Sequence, residues 1–340
     1  MKVFCLLTLL AGLFGAGEST DWDSDRLAAI DPAALGYLTH STLLVDRSGQ
    51  VIWSWGDTDE PLQIFSVRKS LLSAMFGILN AENPGLLEKS LADLDIDDHL
   101  GLTETEKSAT VRQLLMSRSG VYHPAAYETP GMINNRPARG QHAPGEHWYY
   151  NNWDFNALNT IFEQVSGRRI PDAFQQWLAR PLGMAHFSTE NVRYIVEDSS
   201  RHPAVEFWLS ASDLAKFGVL MINQGQWRGR QLIPRQWVID STAAVSELGI
   251  LGGYGHSWWS AAHGDHLPFL KFPDGTYSGR GTGEQMLLII PGLDLVWVHL
   301  TRVTSPDQEM MHVTDTARLL KQILLTHKDG DTFKDPRMPF

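Results

Sequence analysis

Two β-hairpin patterns near opposite ends of the chain constrain its fold more than any other feature. The first joins residues 41–45 to residues 50–55 through a polar turn, and the second joins residues 285–290 to residues 295–300 through a Pro-Gly turn. Runs of β-branched and other apolar residues on both sides of such turns predict strands. Because strands near both ends can share one sheet, the middle of the chain, about residues 100–200, is predicted to be a helical insert on that sheet.

Helical periodicity is found mainly between the two hairpins. Apolar residues recur with helical spacing at residues 66–79, 111–116, 155–165, 211–223 and 314–326. The predicted fold class is therefore α+β, an antiparallel sheet flanked by helices with a mostly helical lobe inserted into it. The sheet and its helices are assigned to about residues 18–100 and 200–340, and the helical lobe to about residues 100–200.

The composition is that of an ordinary globular protein and disfavours several classes of partner. Of the 340 residues, 43% are hydrophobic and 20% are charged, which is enough to bury a sizeable core. The formal net charge is −11 and is spread along the chain. A nucleic-acid backbone or an anionic membrane surface is therefore not a predicted partner.

The first residues have the pattern of a secretory signal peptide. Lys2 precedes an apolar run of about a dozen residues, and small residues follow as far as Gly17. Residues 1–17 are predicted to be removed, which implies a periplasmic or secreted protein; a membrane anchor is the alternative, but the run is short for a bilayer span. The one cysteine, Cys5, lies in this segment, so the mature chain has no disulfide and no thiol nucleophile. No membrane span is predicted in the mature chain.

A serine and a lysine three residues apart form the first candidate for chemistry. Ser66 and Lys69 lie in the predicted helix 66–79, where residues three apart share a face. A partly desolvated amine can take the proton of a hydroxyl one turn away, and the start of a helix offers backbone N–H groups to developing negative charge. The alternative is a helix cap with a chance Ser-x-x-Lys spacing.

A stretch rich in tyrosine and asparagine is the second candidate. A Pro-Gly turn at residues 144–145 leads to Tyr149, Tyr150, Asn151 and Asn152. A tyrosine hydroxyl there can relay a proton, and an amide can hold both an amine and a substrate. Taken alone, the stretch also fits an aromatic plug with an asparagine that caps the next helix.

Together and in this order, the two candidates resemble the motifs of the serine penicillin-recognising superfamily. The similar branch contains class C β-lactamases, D-alanyl-D-alanine carboxypeptidases, related esterases and 6-aminohexanoate-dimer hydrolases. Ser66-x-x-Lys69 matches the first motif and Tyr150-x-Asn152 matches the second. The family places its tyrosine six residues after the proline of the Pro-Gly turn, which selects Tyr150 over Tyr149. The resemblance covers about residues 38–325 and implies a β-lactamase/transpeptidase-like fold.

By the same resemblance, the third motif is expected in the stretch SGRGTGEQ, residues 278–285, just before the second hairpin. Alignment through Gln285 sets residues 282–284 against the motif, whereas alignment on Thr-Gly sets residues 281–283 there. The lysine or histidine that the family has in this motif is missing in both alignments.

Substrate-binding residues are predicted from this stretch and from one loop. Thr282 and Gly283 are expected to contact the substrate, and Arg280 can supply the missing cation unless strand alternation points it away. The alternating glycines predict an edge strand that a substrate backbone approaches closely. His123 and Tyr127 are predicted to line the cleft.

The resemblance implies an exported serine hydrolase that works through an acyl-enzyme, without a metal or an organic cofactor. Ser66 is the expected nucleophile, and the Lys69/Tyr150 pair takes its proton. Asn152 orients Lys69 and the substrate. The backbone N–H groups of Ser66 and Gln285 are the expected donors to the oxyanion.

The missing motif lysine bears on the substrate. β-Lactams and D-alanyl-D-alanine peptides both present a carboxylate to that strand, so a small-molecule or short-peptide ester or amide is the favoured substrate. A β-lactamase or D-alanyl-D-alanine carboxypeptidase remains the first alternative. A catalytically inactive protein that binds a peptide or a cell-wall fragment is the second.

Two stretches with possible metal ligands are not interpreted as metal sites. The acidic residues of 93–104 have the spacing of a calcium loop, but Asp98 stands where that loop needs glycine, so a solvated acidic loop is predicted. The stretch 263–266 contains two histidines and an aspartate without further ligand spacing, and it is interpreted as a loop.

Overall fold

The computed structural model of the protein describes residues 21–305 and 310–335. The predicted signal peptide, residues 1–17, lies outside the described residues. Across the two described ranges, no helix is long and apolar enough to cross a membrane.

The described strands are short at the edges of the sheets and longer in the centre. They are β1 (Thr39–Asp46), β2 (Val51–Gly56), β3 (Leu62–Gln63), β4 (Val192–Ile195), β5 (Ala204–Leu209), β6 (Gln226–Trp227), β7 (Arg230–Gln231), β8 (Ser246–Glu247), β9 (Gly253–Tyr254), β10 (Trp259–Ser260), β11 (Tyr277–Gly281), β12 (Gln285–Ile290) and β13 (Leu295–Thr301).

The α-helices of the described ranges are α1 (Ser24–Ala28), α2 (Arg68–Glu82), α3 (Glu104–Lys107), α4 (Val111–Leu115), α5 (Pro130–Asn134), α6 (Asn152–Ser166), α7 (Ile170–Phe174), α8 (Arg180–Leu182), α9 (Ala211–Ile222), α10 (Arg235–Thr242) and α11 (Val313–Leu324). A π-helical turn, Gln175–Ala179, joins α7 to α8. Short 3₁₀ segments include Phe65–Val67, which leads into α2, and Pro291–Leu293, which joins β12 to β13.

In the described part of the chain, eight strands form one antiparallel sheet with the order β2-β1-β13-β12-β11-β10-β9-β8. β1 pairs with β13 and sets Leu43 opposite Val298, so strands from the two ends of the chain are neighbours inside the sheet. β12 pairs with β13 through the second predicted hairpin. These pairings confirm the α+β fold with an antiparallel sheet that the two hairpin patterns predicted.

The central strands are covered on both faces, which explains why they are almost entirely apolar. Along β13, Val296 and Val298 face one hydrophobic core, whereas Leu295 and Trp297 face the other. Helices α2 and α9 cover the first face, with α6 packed against α2 in the same core, and α11 covers the second face. Gly218 lets α9 approach the sheet closely, because a Cβ on this residue would lie 2.4 Å from Val296 Cγ1.

The middle of the chain contains helices α3 to α8 and also contributes to a second sheet. Among the described residues, β3, β5 and β4 form a small three-stranded antiparallel sheet in that order, which the sequence did not predict. β3 has only two residues and β4 only four, too few for a periodicity to show. The backbone N–H of Ile64 donates to the carbonyl of Phe207 at 3.0 Å, so β5 fixes the chain two residues before Ser66.

Helix boundaries differ from the predictions for local reasons. The helix predicted at residues 66–79 begins as the 3₁₀ turn Phe65–Val67 and continues as α2 to Glu82. The helix predicted from residue 155 begins at Asn152, because the Asn151 side chain caps it by accepting a hydrogen bond from the backbone N–H of Asp154 at 2.9 Å.

Candidate active site

Ser66 lies in the sharp turn that leads into α2. The preceding residue, Phe65, has a φ of 46°, in the left-handed region that a bulky side chain rarely adopts. Such outliers are held in place only by the surrounding structure and concentrate at functional sites. Ser66 is half-buried and lines an open cleft, whereas the next four residues of the chain are buried. The turn therefore presents the Ser66 hydroxyl at the surface of an otherwise buried helix start.

Lys69, one turn further along the chain, is buried, and its amine hydrogen-bonds to two polar side chains. Its Nζ donates to Tyr150 Oη at 2.7 Å and to Asn152 Oδ1 at 2.9 Å, and it lies 4.1 Å from the ring centroids of both Tyr150 and Phe155. Burial lowers the pKa of Lys69 well below its usual value, and the neighbouring Arg68 cation lowers it further. The amine is thereby prepared to accept a proton.

Tyr150 and Asn152 come from the chain segment that enters α6. Burial raises the pKa of Tyr150 to about 12, although its hydrogen bond with the Ser66 side chain acts in the opposite direction. Asn152 accepts from Lys69 and donates through Nδ2 to the backbone carbonyl of Tyr127. The neighbouring Tyr149 points elsewhere, since its hydroxyl donates to the carbonyl of Met132 at 2.5 Å. Ser66, Tyr150 and Lys69 thus form one hydrogen-bonded chain.

The end of β11 packs against the turn that contains Ser66. A Cβ on Gly281 would lie 2.5 Å from the Ile64 carbonyl oxygen and 3.1 Å from the Ser66 backbone nitrogen. A Cβ on Gly279 would lie 3.0 Å from Ser70 Oγ. The alternating glycines therefore make room for the start of α2, in addition to any substrate.

The prediction of an edge strand for residues 278–285 needs a correction. β11 lies inside the sheet, between β12 and β10. However, β10 pairs only with Tyr277 and Ser278. Residues 279–281 extend past the end of β10, so β11 resembles an edge strand only next to Ser66.

Arg280 lines the cleft, although the two glycines that flank it face α2. Its guanidinium lies over the Trp259 ring at 4.9 Å, Nε donates to Ser278 Oγ at 3.0 Å, and Nη2 donates to the His266 carbonyl at 2.8 Å. His266 lies in a loop, as interpreted from the sequence, and it is fully buried, with Nε2 2.9 Å from Ser278 Oγ. These contacts hold the cation of Arg280 at the cleft.

The loop between β11 and β12 is held by hydrogen bonds to residues of β13. Thr282 lines the cleft, whereas Gly283 is buried and its carbonyl accepts a hydrogen bond from Thr301 Oγ1 at 2.5 Å. The Gln285 side chain is also bonded to Thr301, through Nε2 to Oγ1 at 2.8 Å. His299 Nδ1 lies 2.8 Å from the carbonyl oxygen of Glu284. Thr282 is thus the member of this loop that faces the cleft.

The two further residues predicted to line the cleft are placed differently. Tyr127 lies beside the site, where its carbonyl holds Asn152 and its hydroxyl accepts from Gln63 Nε2 at 2.9 Å. His123 is buried with Nε2 3.2 Å from Glu106 Oε1. The prediction for His123 is therefore corrected, because burial and this carboxylate keep its ring in the interior.

The cleft in front of Ser66 has a volume of about 480 Å³ and mostly apolar and aromatic walls. Its lining consists of Ser66, Thr129, Gly131, Met132, Asn135, Trp148, Tyr149, Tyr150, Trp259, Arg280, Gly281 and Thr282. Sequence analysis missed Trp148 and Trp259. Trp148 directly precedes Tyr149 in the sequence, so the Tyr-Asn stretch was the signal for it. Trp259 comes from a two-residue strand that no local pattern identifies.

Neither stretch considered for a metal has the geometry of a metal site. Among the described residues, no group of three or more His, Cys, Asp or Glu side chains could hold a metal ion. Asp98 is not solvated as predicted, because it is buried and accepts hydrogen bonds from Trp153 Nε1 and Ser200 Oγ, each at 2.7 Å. It connects the acidic loop to α6.

The fold and the sequence place the chain in a known group. The sheet with its covering helices has a β-lactamase/transpeptidase-like fold. A family model described as Beta-lactamase matches residues 34–321, so the chain belongs to the β-lactamase family. This confirms the predicted superfamily. Proteins of this family are in general serine hydrolases.

Solved structures share the fold at low sequence identity. A penicillin-binding protein homologue from Caulobacter crescentus is 14% identical with a TM-score of 0.65, over 89% of this chain and 98% of that one. A Bacillus anthracis protein designated a 6-aminohexanoate-dimer hydrolase is 20% identical with a TM-score of 0.61, over 84% and 78%. An octameric penicillin-binding protein homologue from Pyrococcus abyssi is 19% identical with a TM-score of 0.60, over 88% and 77%.

Proposed function

We propose that this protein is an exported serine hydrolase that forms and hydrolyses an acyl-enzyme on a carboxylic ester or amide. The observation that carries the proposal is a buried amine in contact with a hydroxyl at the nucleophile. Lys69 Nζ lies 2.7 Å from Tyr150 Oη, and Tyr150 shares a cleft and a hydrogen bond with Ser66. The signal-peptide pattern of residues 1–17 supports a periplasmic or secreted location.

In the proposed acylation step, Ser66 Oγ attacks the substrate carbonyl while its proton passes through Tyr150 to Lys69. Burial favours this direction, because it lowers the pKa of Lys69 and raises that of Tyr150, so the amine is the group that can accept a proton. Groups this close titrate as one coupled unit, and the pair acts as a single base. The same pair then protonates the leaving group and activates the water that releases the acyl group.

The remaining groups have supporting roles in this proposal. Asn152 orients Lys69 and the substrate. Backbone N–H groups of Ser66 and Gln285 stabilise the oxyanion. The side of Gly281 that faces Ser66 supports this pairing, since a Cβ there would lie 3.1 Å from both Ser66 N and Gln285 Cβ.

The walls of the cleft indicate the kind of acyl compound. Trp148, Trp259 and Met132 offer apolar surface to one part of a substrate, and Thr282 offers a hydroxyl. The motif lysine of the family is missing, which favours a neutral ester or amide. One observation favours a second candidate: Arg280 places a cation in the cleft, as an acyl substrate with a carboxylate requires, and a β-lactam or a D-alanyl-D-alanine peptide is such a substrate.

Hydrolysis of p-nitrophenyl butyrate and of nitrocefin distinguishes the candidates. The wild-type protein should hydrolyse the ester, and Ser66→Ala should abolish both turnover and labelling by a fluorophosphonate probe. Ser73→Ala is the matched control, because Ser73 is a buried serine of α2 whose hydroxyl donates to the His256 carbonyl. Efficient nitrocefin hydrolysis without ester hydrolysis would favour the second candidate. Undiminished turnover by Ser66→Ala would refute the assignment of the nucleophile.

A further inference from the structure

Lys69, the proposed proton acceptor, belongs to a group of buried charged side chains. Arg68, Lys69, Glu206 and Asp154 are each at most 6% exposed. Arg68 and Glu206 form a direct ion pair, with Nη1 2.9 Å from Oε1. The cation of that pair therefore has a carboxylate of its own. Lys69 and Asp154 are the other two charged groups, and the first turn of α6 links them, because it contains both Asp154 and Asn152, whose Oδ1 accepts from Lys69 Nζ at 2.9 Å. Each also acts electrostatically on the other.

Asp154 lies in the first turn of α6, two residues after Asn152. Its side chain is 0% exposed, and Oδ1 accepts a hydrogen bond from Ser119 Oγ at 2.5 Å. Among the described residues, Oδ2 has no hydrogen-bond partner. An aspartate in a first helical turn often serves only the helix dipole, but that purpose does not require complete burial, and Asn151 already caps this helix. Burial raises the pKa of this carboxyl more strongly than the hydrogen bonds from Ser119 and from the Asn151 side chain lower it. A buried carboxylate is costly without a nearby cation.

We propose that Asp154 is the internal counter-charge of Lys69 and thereby controls the protonation state of the Lys69/Tyr150 pair. It is a positioning residue, since it lies behind the pair and does not line the cleft. The ionisable groups that face Asp154 are Lys69 from α2, Tyr254 from β9, and Tyr122 and Tyr149.

The tyrosines around Asp154 are neutral, because burial raises the pKa of each. Lys69 is thus the cation that can balance this carboxylate. The pKa of Lys69 also depends on two other charges: Arg68 lowers it and Glu206 raises it. These two belong to a mutual ion pair, so their effects on Lys69 oppose each other.

Proton uptake by one member of the pair depends on the other. When Lys69 is protonated, an ionised Asp154 balances it. Burial raises the pKa of Asp154 to about 7, even though the charge of Lys69 lowers it. When Lys69 is neutral, this lowering is lost and burial favours the protonated carboxyl. Removal of the carboxylate therefore favours the deprotonated form of the Lys69/Tyr150 pair, whichever of the two holds the proton. That form is the base of the proposed mechanism, so it should persist to lower pH.

Two measurements test this inference in Asp154→Asn. The titration of Lys69 is followed by NMR in lysine-labelled protein, with the signal assigned by Lys69→Arg, and the pH profile of kcat/KM is recorded for p-nitrophenyl butyrate. In Asp154→Asn both the Lys69 titration and the acidic limb should move to lower pH by about one unit, the usual effect of one nearby charge. Ser119→Ala, which removes a donor to the carboxylate, should move both in the same direction by a smaller amount.

Asp213→Asn is the matched control. Asp213 is also 0% exposed, occupies the same position in the first turn of α9, and follows a capping side chain, that of Ser210. Asp213→Asn should leave both the Lys69 titration and the pH profile of kcat/KM unchanged. The inference is overturned if Asp154→Asn folds and its Lys69 titrates as in the wild type. If Asp154→Asn does not fold, the same result in folded Ser119→Ala overturns it.

The kinetic arm rests on the proposed function, whereas the NMR arm does not. A shifted Lys69 titration in a protein that hydrolyses neither p-nitrophenyl butyrate nor nitrocefin and is not labelled by a fluorophosphonate probe would contradict the hydrolase assignment and support the charge pairing. Ester hydrolysis with an unshifted Lys69 titration would support the hydrolase assignment and contradict the charge pairing.

Discussion

Replacement of Gly281 by alanine is expected to separate β11 from the turn that contains Ser66. A Cβ there would lie 2.5 Å from the Ile64 carbonyl oxygen, about 0.9 Å short of the 3.4 Å at which ordinary contacts begin. The contacted atom belongs to the backbone, and Ile64 is fixed by full burial and by its hydrogen bond to Phe207, so β11 has to move. Overpacking of this kind costs about 1–3 kcal/mol of stability. A shift of about 1 Å at a reacting centre costs on the order of 100-fold in rate.

Urea unfolding and kcat/KM for p-nitrophenyl butyrate measure the two effects. Gly279→Ala should be milder on both, because the nearest atoms, at 3.0 Å and 3.2 Å, belong to the side chains of Ser70 and Val67. Gly131→Ala in α5 is the stability control; its nearest atom is 3.8 Å away, and alanine in a helix is worth up to about 1 kcal/mol over glycine. Wild-type stability together with wild-type kcat/KM in Gly281→Ala would refute the close-approach argument.

Two other substitutions test the cation and a buried histidine. Arg280→Gln should lower kcat/KM by about 10- to 100-fold for an ester with a carboxylate near the scissile bond, as expected for a lost charged hydrogen bond, and leave its neutral counterpart nearly unaffected; equal losses would mean that Arg280 is structural. Burial lowers the pKa of His299 from 6.5 to about 4. The unfolded chain therefore takes up this proton first on acidification, so the stability due to neutral His299 is complete above pH 6.5 and is lost towards pH 4 at about 1.4 kcal/mol per pH unit. His299→Gln should lose less stability than the wild type in urea titrations over this window, and equal losses would contradict the assignment.

The sheet could be predicted from the sequence because its longest strands have recognisable local sequence patterns. β1, β2, β12 and β13 each have at least six residues, and turn residues join them in two hairpins. The catalytic candidates could be predicted for a similar reason. Ser66 and Lys69 stand three residues apart at the start of one helix, so their relative position depends on little beyond that helix.

The parts that were missed depend on contacts between distant segments. Trp259 reaches the cleft from β10, a two-residue strand whose position is set by pairing with β11 and β9. His123 was predicted to line the cleft, but it is buried beside Glu106 of α3, and no local pattern reveals that contact. The burial of Asp154 was not foreseen either, because an aspartate at the third position of a helix is an ordinary surface residue unless tertiary packing covers it.

The pairing of β1 with β13 has a consequence for how the chain becomes folded. β13 is the strand between β1 and β12, and it has a hydrophobic core on each side. A nascent chain that has not yet reached residue 295 lacks this strand, so neither layer of helices has a complete surface to pack on. Because chains lengthen at about 5–20 residues per second, the first hairpin waits more than ten seconds for its partner. During that interval the helices made before β13 have no complete core to cover their apolar faces, and transiently exposed apolar surface of this kind favours aggregation.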